Sequence, residues 1–570
     1  MKGKTRGRSL PALLLSAALA GVLTACGAGP TTAPATPSTL TVGTSVGLTI
    51  SSWLPIVGPS DCVGVNGPGA LGPDTYKPLL WYANSGQLDL SRSLASGVSV
   101  SRNDTLYTIT MNPKWHWSTG QPVTAQDAVY DIRLFIAASA PNTPYPYCFN
   151  GSGGVPTDWG KITVINSHKF TVQTTRPVNP EWFERNGLGQ IVPVPQFSWD
   201  KYSSMTQELK WMSKVTSQPT NPIFSVYDGP YHLAKVVTNS YWEFLPNPHY
   251  DGAHKPAFKK VLWEYETSAQ STFLALKSGS VQVAQLPMTF YDSVLRLTKY
   301  RVFSPHLFGY QWLGLNFHAP SLGGTGPLIH DLYIRQALQL GIDQKVIIDK
   351  LNHGLGQPVY GPVPQFPKNG YYDYSMPNYY PYNPQRGRRI LESHGWHAVS
   401  GVMQKNGVKL QFSLYYGAGT STTVQDTFQV IASDWAKEGI RVTMYPKPLP
   451  QALVKNWAIG GLGDWFYAPD YFPTGGDLFA STGGINQAIG HYDSRTMNRL
   501  IQATYAPGTP AQVKQRMDAY QKYAAQNLPV LWMPVTPAAD GFLYVVSNSL
   551  KGFRSHYDDM EAYVPYNLLN

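Results

Sequence analysis

The chain reads as an α/β protein built from more than one lobe, and three observations predict it. Its 570 residues are too many for one compact core and enough for two or three. Short alternating strands and amphipathic helices are mixed along the whole length rather than segregated. Pro (47) and Gly (52) break every stretch between them into turns, so no long helix or solenoid is expected. No repeat of 20–50 residues is visible either. Hydrophobic residues make up 43% and aromatics 13%, enough for a large interior.

The first element is a leader. Lys2, Lys4, Arg6 and Arg8 precede an apolar run from Leu10 to Val22 that ends at Leu23-Thr24-Ala25-Cys26-Gly27. That run is shorter than the roughly 20 residues a membrane span needs, as in an export signal. Small residues ahead of Cys26 resemble a bacterial lipobox. On that likeness residues 1–25 are a signal peptide, and Cys26 carries a lipid that holds the protein outside the cell membrane. The alternative is an ordinary secretory signal with an incidental cysteine. Residues 26–38, rich in Pro and Thr, cannot bury enough apolar area to fold and read as a tether.

Order begins at Leu40-Thr41-Val42-Gly43, an alternating strand. Gly97 to Ser101 and Leu106 to Asn112 alternate with period two around the turn Arg102-Asn103-Asp104. Thr124 with Asp127 three residues on forms a near capping box for a helix whose apolar face is Ala128, Ile132, Phe135 and Ile136. Further helices are expected at Thr267–Ser278, Asp331–Leu340, Gln344–Leu351, Gln385–His394, Thr422–Glu438 and Ala511–Asn527.

Charge excludes some roles. Four of the ten net positive charges lie in the leader, and what remains is mild for this length. Arg386 to Arg389 reads as the start of a solvated helix, so no nucleic-acid partner is expected. Apart from Cys26 only Cys62 and Cys148 remain; in an oxidising compartment they read as a disulfide, with two buried thiols as the alternative.

Catalytic motifs are weak. Gly67-Pro68-Gly69-Ala70-Leu71-Gly72 matches GxGxxG, but Pro73 and its Gly/Pro-rich surroundings make it a loop rather than a dinucleotide turn. Ser198-Trp199-Asp200-Lys201 lacks the Lys-Thr-Gly partner of penicillin-binding enzymes. His394/His397 and His249/His254 lack companion ligands, so no metal site and no cofactor are expected. The chain does not read as an enzyme.

An ordered set of segments carries a positive signal. Leu79-Leu80-Trp81-Tyr82 is followed by Gly86 and Leu94-Ala95. Trp115-His116-Trp117-Ser118-Thr119-Gly120-Gln121-Pro122-Val123-Thr124-Ala125-Gln126-Asp127-Ala128-Val129-Tyr130 comes next. Asp228-Gly229-Pro230-Tyr231, Asn247-Pro248-His249-Tyr250 and Leu276-Lys277-Ser278-Gly279 follow. Then come Asn316, Ile334-Arg335-Gln336-Ala337-Leu338 with Ile342-Asp343, Ile390-Leu391 with Gly395-Trp396, and Leu528-Pro529-Val530-Leu531. Together they resemble the family 5 solute-binding proteins, the dipeptide, oligopeptide and nickel receptors of bacterial ABC importers. Thr119 stands where the family usually has Asp. The Trp115–Tyr130 stretch reads as architecture: Gly120 and Pro122 shape a turn that Trp115 and Trp117 anchor. The Arg335 helix is packing likewise.

The resemblance implies a type II periplasmic-binding-protein clamshell with an extra subdomain inserted in lobe I. Lobe I would comprise 39–78, 225–306 and 530–570, the insert 79–224, and lobe II 307–529. It implies a monomer that closes on a small solute and presents the closed state to ABC permease membrane subunits. In peptide-binding members an Asp in a "W-aDY…p" segment pairs with the ligand α-ammonium. Trp465-Phe466-Tyr467-Ala468-Pro469-Asp470-Tyr471-Phe472-Pro473 matches it, which makes Asp470 the expected carboxylate. Asp464 competes for the role, and a turn-forming Asx residue is the plain alternative for Asp470. Pro469 departs from the pattern, because it has no N–H for main-chain pairing. Trp465, Tyr467, Tyr471 and Phe472 would wall a pocket. The loop Tyr371-Tyr372-Asp373-Tyr374 with Tyr379-Tyr380 falls where the family has a Pro/Tyr loop. An oligosaccharide or metal-chelate receptor is the alternative within the binding class; a secreted hydrolase and a signalling sensor subunit are rivals from other classes.

Overall fold

The computed structural model describes residues 38–44, 50–56, 65–66, 75–83, 86–147, 152–304, 308–318, 326–366, 368–418, 420–447, 457–466, 471–536 and 543–550. Cys26, Cys62 and Cys148, and with them the lipid anchor and the disulfide, lie outside these residues, as do Tyr467 and Asp470.

Two sheets form the cores of two lobes. The first has seven strands, in spatial order Tyr300–Phe303, Leu543–Ser547, Val283–Leu286, Thr39–Thr44, Lys260–Tyr265, Tyr241–Pro246 and Tyr231–Val237. Thr39–Thr44 runs parallel to both of its neighbours, and central parallel strands are buried on both faces. Leu40 and Val42 accordingly enter a small core with Tyr231, Phe244, Phe258 and Trp263. Val283–Leu286 is buried at all four positions. The helix Ala269–Ser278 feeds that strand; Ser268 caps its start and Gly279, at φ 81°, ends it.

The second sheet has five strands, ordered Arg441–Lys447, Gln411–Gly417, Ile459–Phe466, Gly309–Leu315 and Leu531–Met533. Gln411–Gly417 is parallel to Arg441–Lys447, a pairing that needs a crossover. The helix Thr422–Glu438 supplies it with the bounds the sequence predicts, capped by Ser421 and ended at left-handed Gly439. The chain passes from the first sheet to the second between Phe303 and Gly309, and back between Met533 and Leu543. The border expected at residue 530 differs from the hydrogen bonding here. Leu531–Met533 completes the second sheet beside Gly309–Leu315, because its apolar side chains are buried there.

A third sheet, antiparallel, orders Ala95–Val100, Leu106–Met111, Lys169–Thr174 and Trp159–Asn166. The helix Ala125–Ala138 packs on it. The Thr124 N–H and hydroxyl both donate to Asp127 Oδ2 at 2.8 Å, as the sequence spacing predicts. Other helices run Leu332–Leu340, Pro384–Ser393 and Pro510–Asn527. The helix expected over Gln344–Leu351 is α only through Val346 and widens to a π turn at Ile347–Leu351. Met205–Val215 and Arg495–Thr504 are helices that the sequence reading passes over.

The Trp115–Tyr130 segment does structural work. Trp115 and Trp117 are buried, Gly120 takes φ 85°, and the Ser118 N–H donates to Tyr227 O at 2.7 Å. Only a residue without a Cβ adopts that φ without strain. Arg335 is buried and donates to the carbonyls of Ile329, His330 and Asn527. It thereby ties its helix to the end of Pro510–Asn527.

Candidate ligand-binding site

The strand Ile459–Phe466 carries the site. It lies between Gln411–Gly417 and Gly309–Leu315 in the middle of the second sheet, and its glycines let bulky neighbours close over it. A Cβ on Gly463 would stand 2.6 Å from Trp312 Cε2, so that position admits no side chain while the indole stays. Trp465 stands in register with Tyr310, and Asp464 with Gln311.

Of the expected residues, the structure brings Trp465, Tyr471 and Phe472 together. Trp465 and Tyr471 are half-buried and meet edge to face at 5.7 Å between ring centroids, a favourable aromatic geometry. The Tyr471 hydroxyl donates to Asp477 Oδ2 at 2.9 Å. Asp477 is 2% exposed, and burial pushes its carboxyl up to about 7, the Tyr471 hydrogen bond opposing the rise. Phe472 is wholly buried, edge to face with Tyr371 at 5.4 Å.

Residues from the third-sheet region close against this segment, and sequence reasoning missed them. Asn186, fully buried, accepts from the Phe472 N–H at 2.5 Å and donates from Nδ2 to Phe472 O at 3.1 Å. Asn179 donates from its backbone to Tyr505 O at 2.6 Å and from Nδ2 to Thr504 O at 3.2 Å. Trp182 stacks on Tyr505 with centroids 4.1 Å apart. Glu181 accepts from the Tyr371 hydroxyl at 2.5 Å and pairs with Arg185 at 3.2 Å. The Arg185 guanidinium lies 4.6 Å over the Tyr82 ring and donates to Gly86 O at 2.7 Å. Their partners are separated by up to 325 positions, and no local pattern encodes such pairs.

The Tyr-rich loop divides in use. Tyr371 reaches the junction, whereas Tyr372 is buried and Tyr380 donates to Gln526 O at 2.6 Å. His394 stacks on Tyr333 at 3.9 Å, so that histidine is engaged in packing. No helix among the described residues is long and apolar enough to cross a membrane.

Comparison with known proteins places this geometry. Residues 89–478 match the model of the bacterial extracellular solute-binding proteins, family 5 Middle, a span that takes in all of 465–473. Protein XP55 of Streptomyces lividans is 26% identical over 479 residues, 79% of each chain. Among solved structures, the oligopeptide-binding protein AppA from Bacillus subtilis, in complex with a nonapeptide, is 16% identical. It superposes with a TM-score of 0.74 over 93% of this chain and 98% of AppA. NikZ from Campylobacter jejuni, in complex with Ni(L-His), is 17% identical with a TM-score of 0.75 over 93% and 99%. The two-lobed fold is therefore common to a peptide complex and a metal-chelate complex.

Proposed function

The chain belongs to the bacterial extracellular solute-binding proteins of family 5, and from that premise we propose that it captures peptides between its two lobes and delivers them to the membrane subunits of an ABC importer. It is a binding protein and not an enzyme; the guest leaves unaltered. One observation carries this reading: the segment holding Trp465 and Tyr471 ends a central strand of the second lobe and is met there by Asn186 from the region of the third sheet. A solute lodged against that segment would be enclosed from both sides. Asp470 supplies the carboxylate for the ligand α-ammonium, Trp465, Tyr467 and Tyr471 wall the side-chain pocket, and Phe472 closes its rear.

The anchor belongs to the same proposal. Cys26 holds the monomer at the outer face of the cell membrane, residues 26–38 give it reach, and a Cys62–Cys148 bond braces the mature chain. Residues 39–78, 225–306 and the stretch after the second crossing form lobe I, with 79–224 inserted in it, and 307 to the second crossing forms lobe II.

The test is calorimetry with free-amine peptides of two to nine residues, after native mass spectrometry of whatever co-purifies. Asp470→Ala is expected to lower affinity for free-amine peptides by at least 100-fold without unfolding the protein, since an unpaired buried charge costs about 3–5 kcal/mol. Unchanged affinity in Asp470→Ala removes Asp470 from the site. A co-purifying saccharide or metal chelate replaces the peptide reading with another receptor of the same family.

A further inference from the structure

We infer that Asn186 is the clasp of the closed state, a positioning residue that joins closure of the lobes to the backbone of the ligand-contacting segment. The inference rests on the proposed capture of a ligand between the lobes. Its geometry is specific. The Asn186 amide makes two reciprocal bonds with one residue, taking the Phe472 N–H at 2.5 Å and giving its own N–H to Phe472 O at 3.1 Å. This is how one strand pairs with another, here with a side-chain amide in place of the second strand. Phe472 therefore has no main-chain group left for a guest, and any main-chain pairing by a ligand must stop before it.

The surroundings show what separates when the lobes part. Asn186 lies in the turn Phe183–Gly187, and the same short stretch supplies Asn179, Glu181 and Trp182 to the second lobe. Elsewhere its subdomain is fastened to the first-sheet side, where the Ser118 N–H donates to Tyr227 O at 2.7 Å and the His116 N–H donates to Asp251 Oδ2 at 2.8 Å. In a two-lobed binding protein the lobes part by rotation of one relative to the other. Such rotation pulls Asn186 from Phe472 and re-solvates a neutral amide, a change costing far less than exposing or stranding a charge. Phe472 is two residues from Asp470 and adjacent to Tyr471. A ligand that fixes Tyr471 also fixes the backbone that Asn186 grips, and so favours the closed population.

Hydrogen exchange at the Phe472 amide tests this in the full chain without added ligand. Protection is expected to be intermediate, at least 10-fold less than for amides of the strand Ile459–Phe466, because the clasp opens by lobe separation rather than global unfolding. Asn186→Ala is expected to speed exchange at Phe472 about 10-fold while thermal unfolding and the strand amides hold. A pool of free-amine peptides of two to nine residues should slow exchange in the wild type and leave Asn186→Ala about 10-fold faster in releasing them. Strand-like protection of Phe472 means a fixed contact and overturns the inference, as does exchange that Asn186→Ala leaves unchanged. If the clasp behaves as described but no peptide slows it, the clasp stands and the peptide reading fails.

Discussion

The subdomain built on the third sheet has two borders, and their chemistry differs. Toward the first-sheet lobe the contacts are charged and multiple. The buried Lys77 places its ammonium 4.9 Å and 4.7 Å from the Trp81 and Trp115 ring centroids. Asp251 Oδ2 accepts from both the His116 N–H and Nδ1 at 2.8 and 3.1 Å. Toward the second lobe the hydrogen bonds of Asn179 and Asn186 are neutral, beside the Trp182–Tyr505 stack, and the Glu181 carboxylate that accepts from the Tyr371 hydroxyl is 45% exposed and stays solvated on parting. Stranding a buried charge costs several kcal/mol, whereas wetting an amide costs little. The first border is built to stay and the second to part. A hinge protein needs both kinds.

The largest expected effect breaks the permanent border. Asp251→Ala removes the carboxylate that accepts from both the His116 N–H and its Nδ1 and is expected to cost about 1.5–3 kcal/mol in urea unfolding. A loss below about 1 kcal/mol would erase the distinction between the borders. Next, Asn179→Ala removes one amide bond at the parting border and should cost about 1 kcal/mol of closed-state stability. Its signature is a larger radius of gyration in X-ray scattering at unchanged melting temperature; a fallen melting temperature at constant radius would make that border permanent too.

A third test is a pH dependence. Burial raises the Asp228 carboxyl to about 7, with Lys77 opposing, and the Asp477 carboxyl likewise to about 7. A carboxyl raised in the folded state holds its proton longer than in the unfolded chain, so stability falls as pH rises from about 4 to about 7 and levels off above. Asp477→Asn keeps an acceptor for the Tyr471 hydroxyl and removes that group's share of the slope. Its melting temperature at pH 8 should exceed the wild-type value, and the two should converge near pH 4. A parallel pair of melting curves across that range would show Asp477 titrating as an ordinary carboxyl.

Legibility followed the range of the interactions. Thr422–Glu438 was readable because Ser421, the apolar spacing and Gly439 all lie within the helix or one residue from it. The capping pair Thr124–Asp127 was readable for the same reason. Arg495–Thr504 was hidden by charge: Arg495 and Arg499 interrupt its short Met497, Leu500, Ile501 face. At the site, the aromatic segment 465–473 was visible as a pattern, and Trp465 and Tyr471 do meet. Nothing in that pattern separated Phe472, whose ring is wholly buried, from its half-buried neighbours, because burial depends on what packs from 286 residues away.

Sequence by itself determined the family and the order of the elements, because both rest on local composition, spacing and caps within a few residues of one another. Only the tertiary structure decided that Leu531–Met533 joins the second sheet and that Asn186 holds Phe472. Pairings of that kind join groups hundreds of positions apart, and they are chosen by which polar groups are left to satisfy once the apolar surfaces have closed.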